Sequence, residues 1–235
     1  MAESPGIERS DVYSLFPTLV WKIELERAVY EPINARVLPL LRGLRGKDVP
    51  AAGESWQSCV ALHEREELSQ LVSSVEATTR RILRFLHIAC DAFQITGCWA
   101  TVNAPGASHR MHLHPNNFLS GVYYAQVQAG ADTVNLHDPR PQTAVLRPPV
   151  SQLSAQNTDQ VVVTVSTGSL LLFPSWLPHS VDANRSSTER ISISFNLMFR
   201  AFGETLAKPL WGQQERAAPP RQHRAPRPRG SRRSR

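Results

Sequence analysis

The sequence predicts a mainly β protein with helices in its N-terminal part. Residues 98–200 contain six short runs rich in Val, Ile, Tyr, Thr and Phe, with turn residues between them and no helical pattern among them. Residues 66–93 instead place Leu, Val and Ile at steps of three and four, as an amphipathic helix does. Closely spaced strands without intervening helices favour a sandwich, a barrel or a jelly roll over alternating β-α-β units.

The N-terminal part is predicted to contain one strand and two helices. Ser14–Leu25 has the composition of a first strand. Tyr30–Leu44 carries apolar residues at helical spacing, although Pro39 weakens that pattern. Glu66–Phe93 predicts one long amphipathic helix. We assign residues 1–97 to an N-terminal strand and helical support region.

The β-rich core is assigned to residues 98–212. Its six predicted strands are, in order, 98–103, 120–128, 132–138, 160–166, 169–174 and 191–199. A β domain with exposed faces of this composition needs cover, so we expect the N-terminal helices to pack on one of its sheets.

Residues 213–235 form a tail rich in Arg and Pro, which cannot bury enough apolar surface to fold and is predicted to be disordered. The tail holds eight arginines and one glutamate, so its net charge of +7 exceeds the +6 of the whole chain. Basic tails bind polyanions by counterion release, but this one has no aromatic residue to stack on bases. We expect nucleic-acid contact to be limited to unspecific contact by this tail.

Cellular location follows from two further patterns. No apolar run reaches the roughly 18 residues of a membrane-spanning helix, so we expect no membrane association. The N-terminus lacks the basic start and apolar stretch of a secretory signal, which favours a cytoplasmic protein. The sequence leaves a homodimer open.

Three histidines of the β core have the arrangement of metal ligands. His112 and His114 are two residues apart, and side chains at that spacing share one face of a strand. His179 follows the apolar run 169–174 and a Pro-bounded turn, and opens the next strand. Because a jelly roll brings distant strands side by side, we expect His179 to lie beside His112. Histidines around an otherwise open ion suit Fe(II), with positions left for substrate and O₂.

Arg190 and Ser192 form a second constellation, eleven residues after His179. They lie on one face of a predicted strand, where a guanidinium and a hydroxyl together make a carboxylate receptor. A buried arginine in a β core is costly unless an anion pairs with it. The pair therefore indicates an anionic ligand in the interior.

The order of these segments resembles the Fe(II)/2-oxoglutarate-dependent oxygenase superfamily, and more closely a bacterial and phage group of prolyl-hydroxylase-like oxygenases. The resemblance spans about residues 96–199. Each segment alone is a weak signal, but the order and spacing of the segments together are specific. The segments are His112-Leu-His114-Pro115, Ser120-Gly-Val-Tyr-Tyr124, Asp138-Pro-Arg140, Phe173-Pro-Ser-Trp-Leu-Pro-His179 and Arg190-Ile-Ser192.

The resemblance implies a double-stranded β-helix, a jelly roll of the cupin-like type, that uses Fe(II), O₂ and 2-oxoglutarate, with ascorbate as an optional accessory reductant. It implies that Arg190 binds the far carboxylate of 2-oxoglutarate with help from Ser192. Tyr123 and Tyr124 alternate faces of their strand, and we assign Tyr123 to the cosubstrate. The implied reaction hydroxylates a peptidyl or small-molecule substrate and releases succinate and CO₂.

One position departs from the superfamily, because His114 stands where most members have Asp or Glu. Either His114 replaces the carboxylate in a three-histidine site, or Asp138 supplies a carboxylate ligand and His114 lies behind the ligands. The sequence leaves both arrangements open.

Two other classes of function also remain open. A cupin-like metalloenzyme that does not use 2-oxoglutarate would explain three histidines directly, but would leave Arg190 and Ser192 without a role. A non-catalytic jelly-roll binding module would bind no metal tightly, and substitution of His179 would then change only stability.

Overall fold

The computed structural model of the chain describes residues 6, 8–89, 92–141, 145 and 148–200. These residues form two α-helices, Arg27–Arg45 (α1) and Ser69–Phe85 (α2), and two short 3₁₀ turns, Leu62–Glu64 and Glu66–Leu68. The strands are Trp21–Glu24 (β1), Ser55–Gln57 (β2), Phe93–Asn103 (β3), His109–His112 (β4), Leu119–Gln126 (β5), Thr133–His137 (β6), Gln160–Thr164 (β7), Ser169–Pro174 (β8), His179–Val181 (β9) and Arg190–Phe199 (β10).

The strands form two antiparallel sheets. The large sheet has the order β1-β8-β5-β10-β3-β2, and the small sheet has the order β4-β9-β6-β7. Sequence neighbours are often apart in space, since β8 pairs with β1 and β5, and β10 pairs with β3 and β5. The prediction of a mainly β protein with N-terminal helices is confirmed.

Strand β10 shows how the large sheet separates its two faces. Alternate side chains of a strand point to opposite faces. One set packs in the core that includes the helices, namely Ile191, Ile193, Phe195 and Leu197. The other set, Arg190, Ser192 and Ser194, lines a cavity on the opposite face. The alternation of Ile with Arg and Ser in the sequence therefore fixes which face carries chemistry.

The helices cover the outer face of the large sheet, as expected from their apolar spacing. Their buried residues include Ile33, Val37 and Leu41 of α1 and Leu71, Val75 and Ile82 of α2. Burial of one such side chain stabilises the fold by roughly 1.5–3 kcal/mol. Helix α1 runs through both Pro32 and Pro39, so the weakening expected from Pro39 does not end it.

Two predicted elements are shorter in the structure. Strand β1 occupies only Trp21–Glu24 of the predicted run, because the residues before it have no strand partner in the described chain and only Leu19 and Val20 among them are half-buried. The long predicted helix ends at Phe85, and His87 has a φ of 53°, which a right-handed helix cannot continue. Strand β2 was not predicted. Strand β9 is the strand that His179 was expected to open, whereas β4 ends at His112 and does not reach His114, which was expected to share its strand.

The proposed division at residue 97 cuts across the large sheet, because β1 and β2 form its two edges and β3 begins before that residue. The predicted tail, 213–235, lies outside the described residues. No helix in the described part of the chain has the length and hydropathy needed to cross a membrane.

Candidate metal centre

A cavity of about 230 Å³ lies between the two sheets. The large sheet supplies its floor and the small sheet supplies its roof. Its lining combines histidine, arginine and hydroxyl side chains with apolar ones: Gln57, Trp99, Thr101, Asn103, His109, His112, His114, Gly121, Val122, Tyr124, Val134, Phe173, His179, Val181, Arg190, Ser192 and Ser194. No Asp or Glu occurs among these lining residues.

His112, His114 and His179 converge at this cavity, as the sequence predicts. One ring nitrogen from each lies within 4.8 Å of those of the other two. The ring centroids of His112 and His179 are 4.3 Å apart, and His114 lies 5.2 Å from the first and 5.1 Å from the second. Three imidazole nitrogens this close can bind one transition-metal ion.

The backbone brings these histidines together in two ways. His112 at the end of β4 pairs directly with His179 at the start of β9. His114 lies beyond β4, so its position does not come from strand alternation as expected. Instead its backbone N–H donates to the carbonyl of Ser175 at 2.9 Å, which holds the residue against the turn that leads to His179.

Backbone carbonyls also orient two of the rings. Nδ1 of His112 lies 2.8 Å from the carbonyl oxygen of Arg110, and Nδ1 of His179 lies 3.0 Å from that of Leu177. A carbonyl only accepts, so each Nδ1 carries the proton and each Nε2 keeps its lone pair. This is how proteins fix the orientation and tautomer of a metal-binding histidine.

The environment also lowers the pKa of two of these imidazoles. Burial lowers the pKa of His114 to about 4, and the neighbouring His112 contributes to that shift. Burial likewise lowers the pKa of His179 to about 4, although its bond to Leu177 partly opposes the shift. Neutral imidazole is the form that binds a metal, so these two ligands are ready at neutral pH without prior loss of a proton.

Arg190 lies in the same cavity and is only 4% exposed. Its Nη1 donates to the carbonyl of Thr133 at 3.1 Å, and its Cζ lies 5.1 Å from the ring centre of Tyr124. Its Nε is buried without a hydrogen-bond partner, and none of the ion pairs in the described ranges includes Arg190. A buried cation without a counter-ion is costly, which points to an anionic ligand.

The two neighbouring tyrosines exchange the roles expected of them. The hydroxyl of Tyr123 lies in the core beneath the helices and donates to Oδ1 of Asn34 at 2.7 Å. Tyr124 lines the cavity, and its buried hydroxyl has no partner of good hydrogen-bond geometry. The adjacent guanidinium of Arg190 nevertheless acts on it and partly opposes the rise in its pKa that burial causes. Tyr123, which the sequence assigned to the cosubstrate, does not line the cavity, because strand alternation gives that face to Tyr124. Ser192 does line the cavity, next to Tyr124 in the strand register.

Asp138 is placed differently from a metal ligand. Its carboxylate accepts hydrogen bonds from the guanidinium of Arg140, at 2.6 Å from Nη2 and 3.0 Å from Nε. That guanidinium lowers the pKa of Asp138. Asp138 does not line the cavity and is not part of the histidine group.

His109 is a cavity residue that sequence reasoning missed. It lies three residues before His112, a spacing that puts two side chains on opposite faces of a regular strand. The pairing of β4 with β9 shifts by one residue between them, which marks a β-bulge. The bulge returns both rings to the cavity, with centroids 6.5 Å apart. No sequence pattern signals such a bulge.

The donor set fits a non-haem iron site with open positions. The three histidines occupy only part of the cavity lining, so an ion held by them would have room for further ligands. Imidazole suits iron, zinc and copper alike, so the ligands alone do not select the metal.

The comparisons with known proteins agree with this geometry. A family model described as "Putative 2OG-Fe(II) oxygenase" matches residues 97–196, a range that contains the three histidines, Arg190 and Ser192. No curated protein matches the chain in sequence.

Solved structures match over more of the chain. A Pseudomonas putida prolyl-4-hydroxylase has 18% identity and a TM-score of 0.53, and the match covers 78% of this chain and 94% of that one. A non-haem α-ketoglutarate-dependent carbocyclase of nogalamycin biosynthesis, SnoK, has 14% identity and a TM-score of 0.56, over 77% and 80% of the two chains. HygX of Streptomyces hygroscopicus, with nickel and 2-oxoglutarate bound, has 12% identity and a TM-score of 0.51, over 79% and 84%.

At these identities the structural likeness establishes the fold. The two sheets, their order and the cavity between them form the double-stranded β-helix that these oxygenases share. Over residues 97–196 the chain is also similar in sequence to the 2-oxoglutarate–Fe(II) oxygenases.

Proposed function

We propose that this protein is an Fe(II)- and 2-oxoglutarate-dependent dioxygenase that hydroxylates a peptidyl or small-molecule substrate. The observation that carries the proposal is that three converging imidazoles and a buried, unpaired guanidinium share one cavity. The imidazoles suit a metal ion, and the guanidinium suits a carboxylate. 2-Oxoglutarate would bind the metal at one end and Arg190 through its carboxylate at the other.

At the metal end, His112, His114 and His179 would hold Fe(II). The bonds from Nδ1 to backbone carbonyls direct Nε2 of His112 and of His179 toward the ion. With Asp138 held by Arg140, His114 takes the place of the usual carboxylate in this proposal.

At the other end, Arg190 would bind the far carboxylate of 2-oxoglutarate. Tyr124 and Ser192 are paired in the strand register and line the same cavity as Arg190, where each offers a hydroxyl. A charge-assisted bond to a guanidinium is stronger than a neutral one and would fix the orientation of the cosubstrate.

The apolar side chains of the cavity exclude water from this arrangement. Val122 and Phe173 lie on the floor, and Val134 and Val181 lie on the roof. Iron with bound 2-oxoglutarate and O₂ supplies oxidation of a C–H bond with release of succinate and CO₂. The protein positions the participants and keeps water away, while the cofactor supplies the difficult chemistry.

A second candidate is a cupin-like enzyme with three histidine ligands that does not use 2-oxoglutarate. The ligand set itself favours it, since no carboxylate joins the histidines among the described residues. It leaves the unpaired Arg190 beside Tyr124 without a ligand, and we therefore rank it second.

Turnover of the cosubstrate tests the proposal. Purified protein with Fe(II), O₂ and 2-oxoglutarate should release succinate slowly without added substrate, and ascorbate should prolong that release. His179→Ala should abolish it. His137→Ala is the matched control, because its ring contacts Ser180 and lies outside the cavity lining. Iron-independent release, or equal release by both variants, would contradict the proposal.

A further inference from the structure

With Fe(II) and 2-oxoglutarate bound, the cavity would hold one positive charge that no negative charge balances. This inference rests on the proposed function. Fe(II) brings two positive charges and Arg190 brings one, and the three histidines are neutral ligands. The dianion 2-oxoglutarate cancels two of these three. A carboxylate at position 114 would have cancelled the third.

Among the described residues, no acidic side chain is placed to supply the missing negative charge. The residues that line the cavity include no Asp or Glu. Of the acidic residues adjacent in sequence to cavity or strand-end positions, Asp138 pairs with Arg140, and Glu189 pairs with Arg45 at 2.6 Å. Asp182 accepts a hydrogen bond from Asn135 and does not line the cavity. Burial raises the pKa of the Tyr124 hydroxyl, so the phenol stays neutral as well.

One wall of the cavity is polar and has no part in the proposed metal or cosubstrate contacts. This polar wall consists of Gln57, Thr101, Asn103 and His109. The strand register places Gln57 beside Thr101, and Thr101 beside Ser192, so the wall continues the row of the cavity floor that holds the cosubstrate.

The wall offers hydrogen-bond donors without offering charge. Within the described residues, no side-chain hydrogen bond occupies the carboxamide of Gln57, which is exposed, or the hydroxyl of Thr101, which is buried. Nδ2 of Asn103 lies 3.0 Å from Oγ of Ser55 and 3.4 Å from Nε2 of His109. In that arrangement Nε2 of His109 accepts, and its Nδ1–H is left as a donor. Neutral donors bind an anion well when a net positive charge lies nearby.

We propose that the polar wall binds a monoanionic group, which balances the charge that a carboxylate ligand balances in related sites. A carboxylate of the primary substrate fits the wall best, because its two oxygens can accept from Gln57 and Thr101 together. A free inorganic anion is the other source of the same charge. The substrate class that follows is a small or peptidyl molecule with an acidic group near the carbon that reacts.

Anaerobic anion binding tests this inference. The full chain is loaded with Fe(II) and saturating 2-oxoglutarate, which gives a visible charge-transfer band. Acetate, its neutral isostere acetamide, and chloride are then titrated, and binding is followed by the shift of that band and by calorimetry. Acetate should bind at least about tenfold more tightly than acetamide, because the buried positive charge attracts only the anion. If chloride binds as tightly as acetate, the balancing negative charge comes from a free inorganic anion. If chloride binds more weakly than acetate, the balancing charge comes from a carboxylate of the substrate.

Variants separate charge from shape. His114→Asp restores the missing carboxylate, so it should bring acetate binding to within about twofold of acetamide binding while the band persists. Gln57→Glu is the second variant, for use if His114→Asp does not fold. It places a negative charge in the polar wall and should likewise bring acetate binding close to acetamide binding. Thr101→Val should weaken acetate binding, and Ser194→Ala, at another position on the cavity floor, is the matched control.

The outcomes distinguish this inference from the function on which it rests. Absence of the band with 2-oxoglutarate would refute the proposed function. A normal band with acetate no better than acetamide, or equal acetate binding by wild type and both acidic variants, would refute the anion site alone. Loss of the band on adding acetate, reversed by more 2-oxoglutarate, would show competition at the cosubstrate site and would also overturn it.

Discussion

At the scale of residues, the candidate centre depends on side chains that the backbone orients. The sequence identifies His112, His114 and His179 because their spacing and flanking segments are specific together. It does not show that the carbonyls of Arg110 and Leu177 fix two of the rings, because such bonds depend on backbone geometry. The choice between Tyr123 and Tyr124 also needed the structure, since alternation separates the two residues but does not say which faces the cavity.

The tyrosine pair gives a matched test at this scale. Tyr123→Phe removes the bond to Asn34 and should lower the free energy of unfolding by about 1 kcal/mol, with little effect on 2-oxoglutarate affinity. Tyr124→Phe removes an unpaired hydroxyl, so stability should hardly fall, while the Kd for 2-oxoglutarate should rise about fivefold or more. Chemical denaturation and cosubstrate titration measure the two effects, and the reverse pattern would refute the assignment.

Protonation of the ligands should govern the stability of the metal-free protein in weak acid. The pKa of His114 and that of His179 are about 4 in the folded protein, against an ordinary value of 6.5. Between these values the unfolded chain binds more protons, so stability should fall as pH drops from about 6.5 toward 4. Thermal unfolding of chelator-treated protein across this range measures the effect.

The control for that experiment removes the titrating groups. The double variant His114→Gln/His179→Gln should lose stability more gradually over the same pH range. A wild-type protein whose stability is level from pH 6.5 to 4 would contradict the assignment of buried, neutral imidazoles.

At the scale of elements, long strands and helix faces were predictable and short strands were not. Strands β5, β8 and β10 are six to ten residues long and rich in apolar residues. Strands β2, β4 and β9 have only three or four residues, mostly polar or exposed, so their composition does not mark them. The last two were expected only because of their histidines. Two of these three short strands nevertheless carry His109, His112 and His179, and the bulge in β4 turns His109 into the cavity.

A glycine in the centre of the large sheet tests how closely its elements pack. A Cβ on Gly121 would overlap the ring of Phe195 and would lie 2.8 Å from the carbonyl oxygen of Leu171. Gly121→Ala should therefore cost about 1–3 kcal/mol of stability through overpacking. Gly97→Ala on β3 is the matched control, because its nearest contact would be an ordinary 3.7 Å to Trp99. Denaturant unfolding of both variants measures the difference, and equal stability would contradict the packing described.

At the scale of the whole molecule, the site exists only when both sheets are assembled. The small sheet and its connecting loop bring the histidines, and the large sheet brings Arg190, Ser192 and Tyr124. The order of these segments in the sequence was enough to predict the fold class and the three histidines, Arg190 and Ser192 of the cavity, because each segment carries its own pattern. The polar wall was not predictable, since Gln57 comes from a three-residue strand of the N-terminal part.

The most direct test of the central claim is an anaerobic titration of the Fe(II)-loaded protein with 2-oxoglutarate. Wild type is compared with Arg190→Met and with Arg45→Met, a second poorly exposed arginine whose partner is Glu189 and which lies outside the cavity lining. We predict a visible charge-transfer band in wild type and in Arg45→Met, and a Kd for 2-oxoglutarate raised at least about tenfold in Arg190→Met. Iron binding without the band, or the same Kd in all three proteins, would contradict the claim that Arg190 and the three histidines form one cosubstrate site.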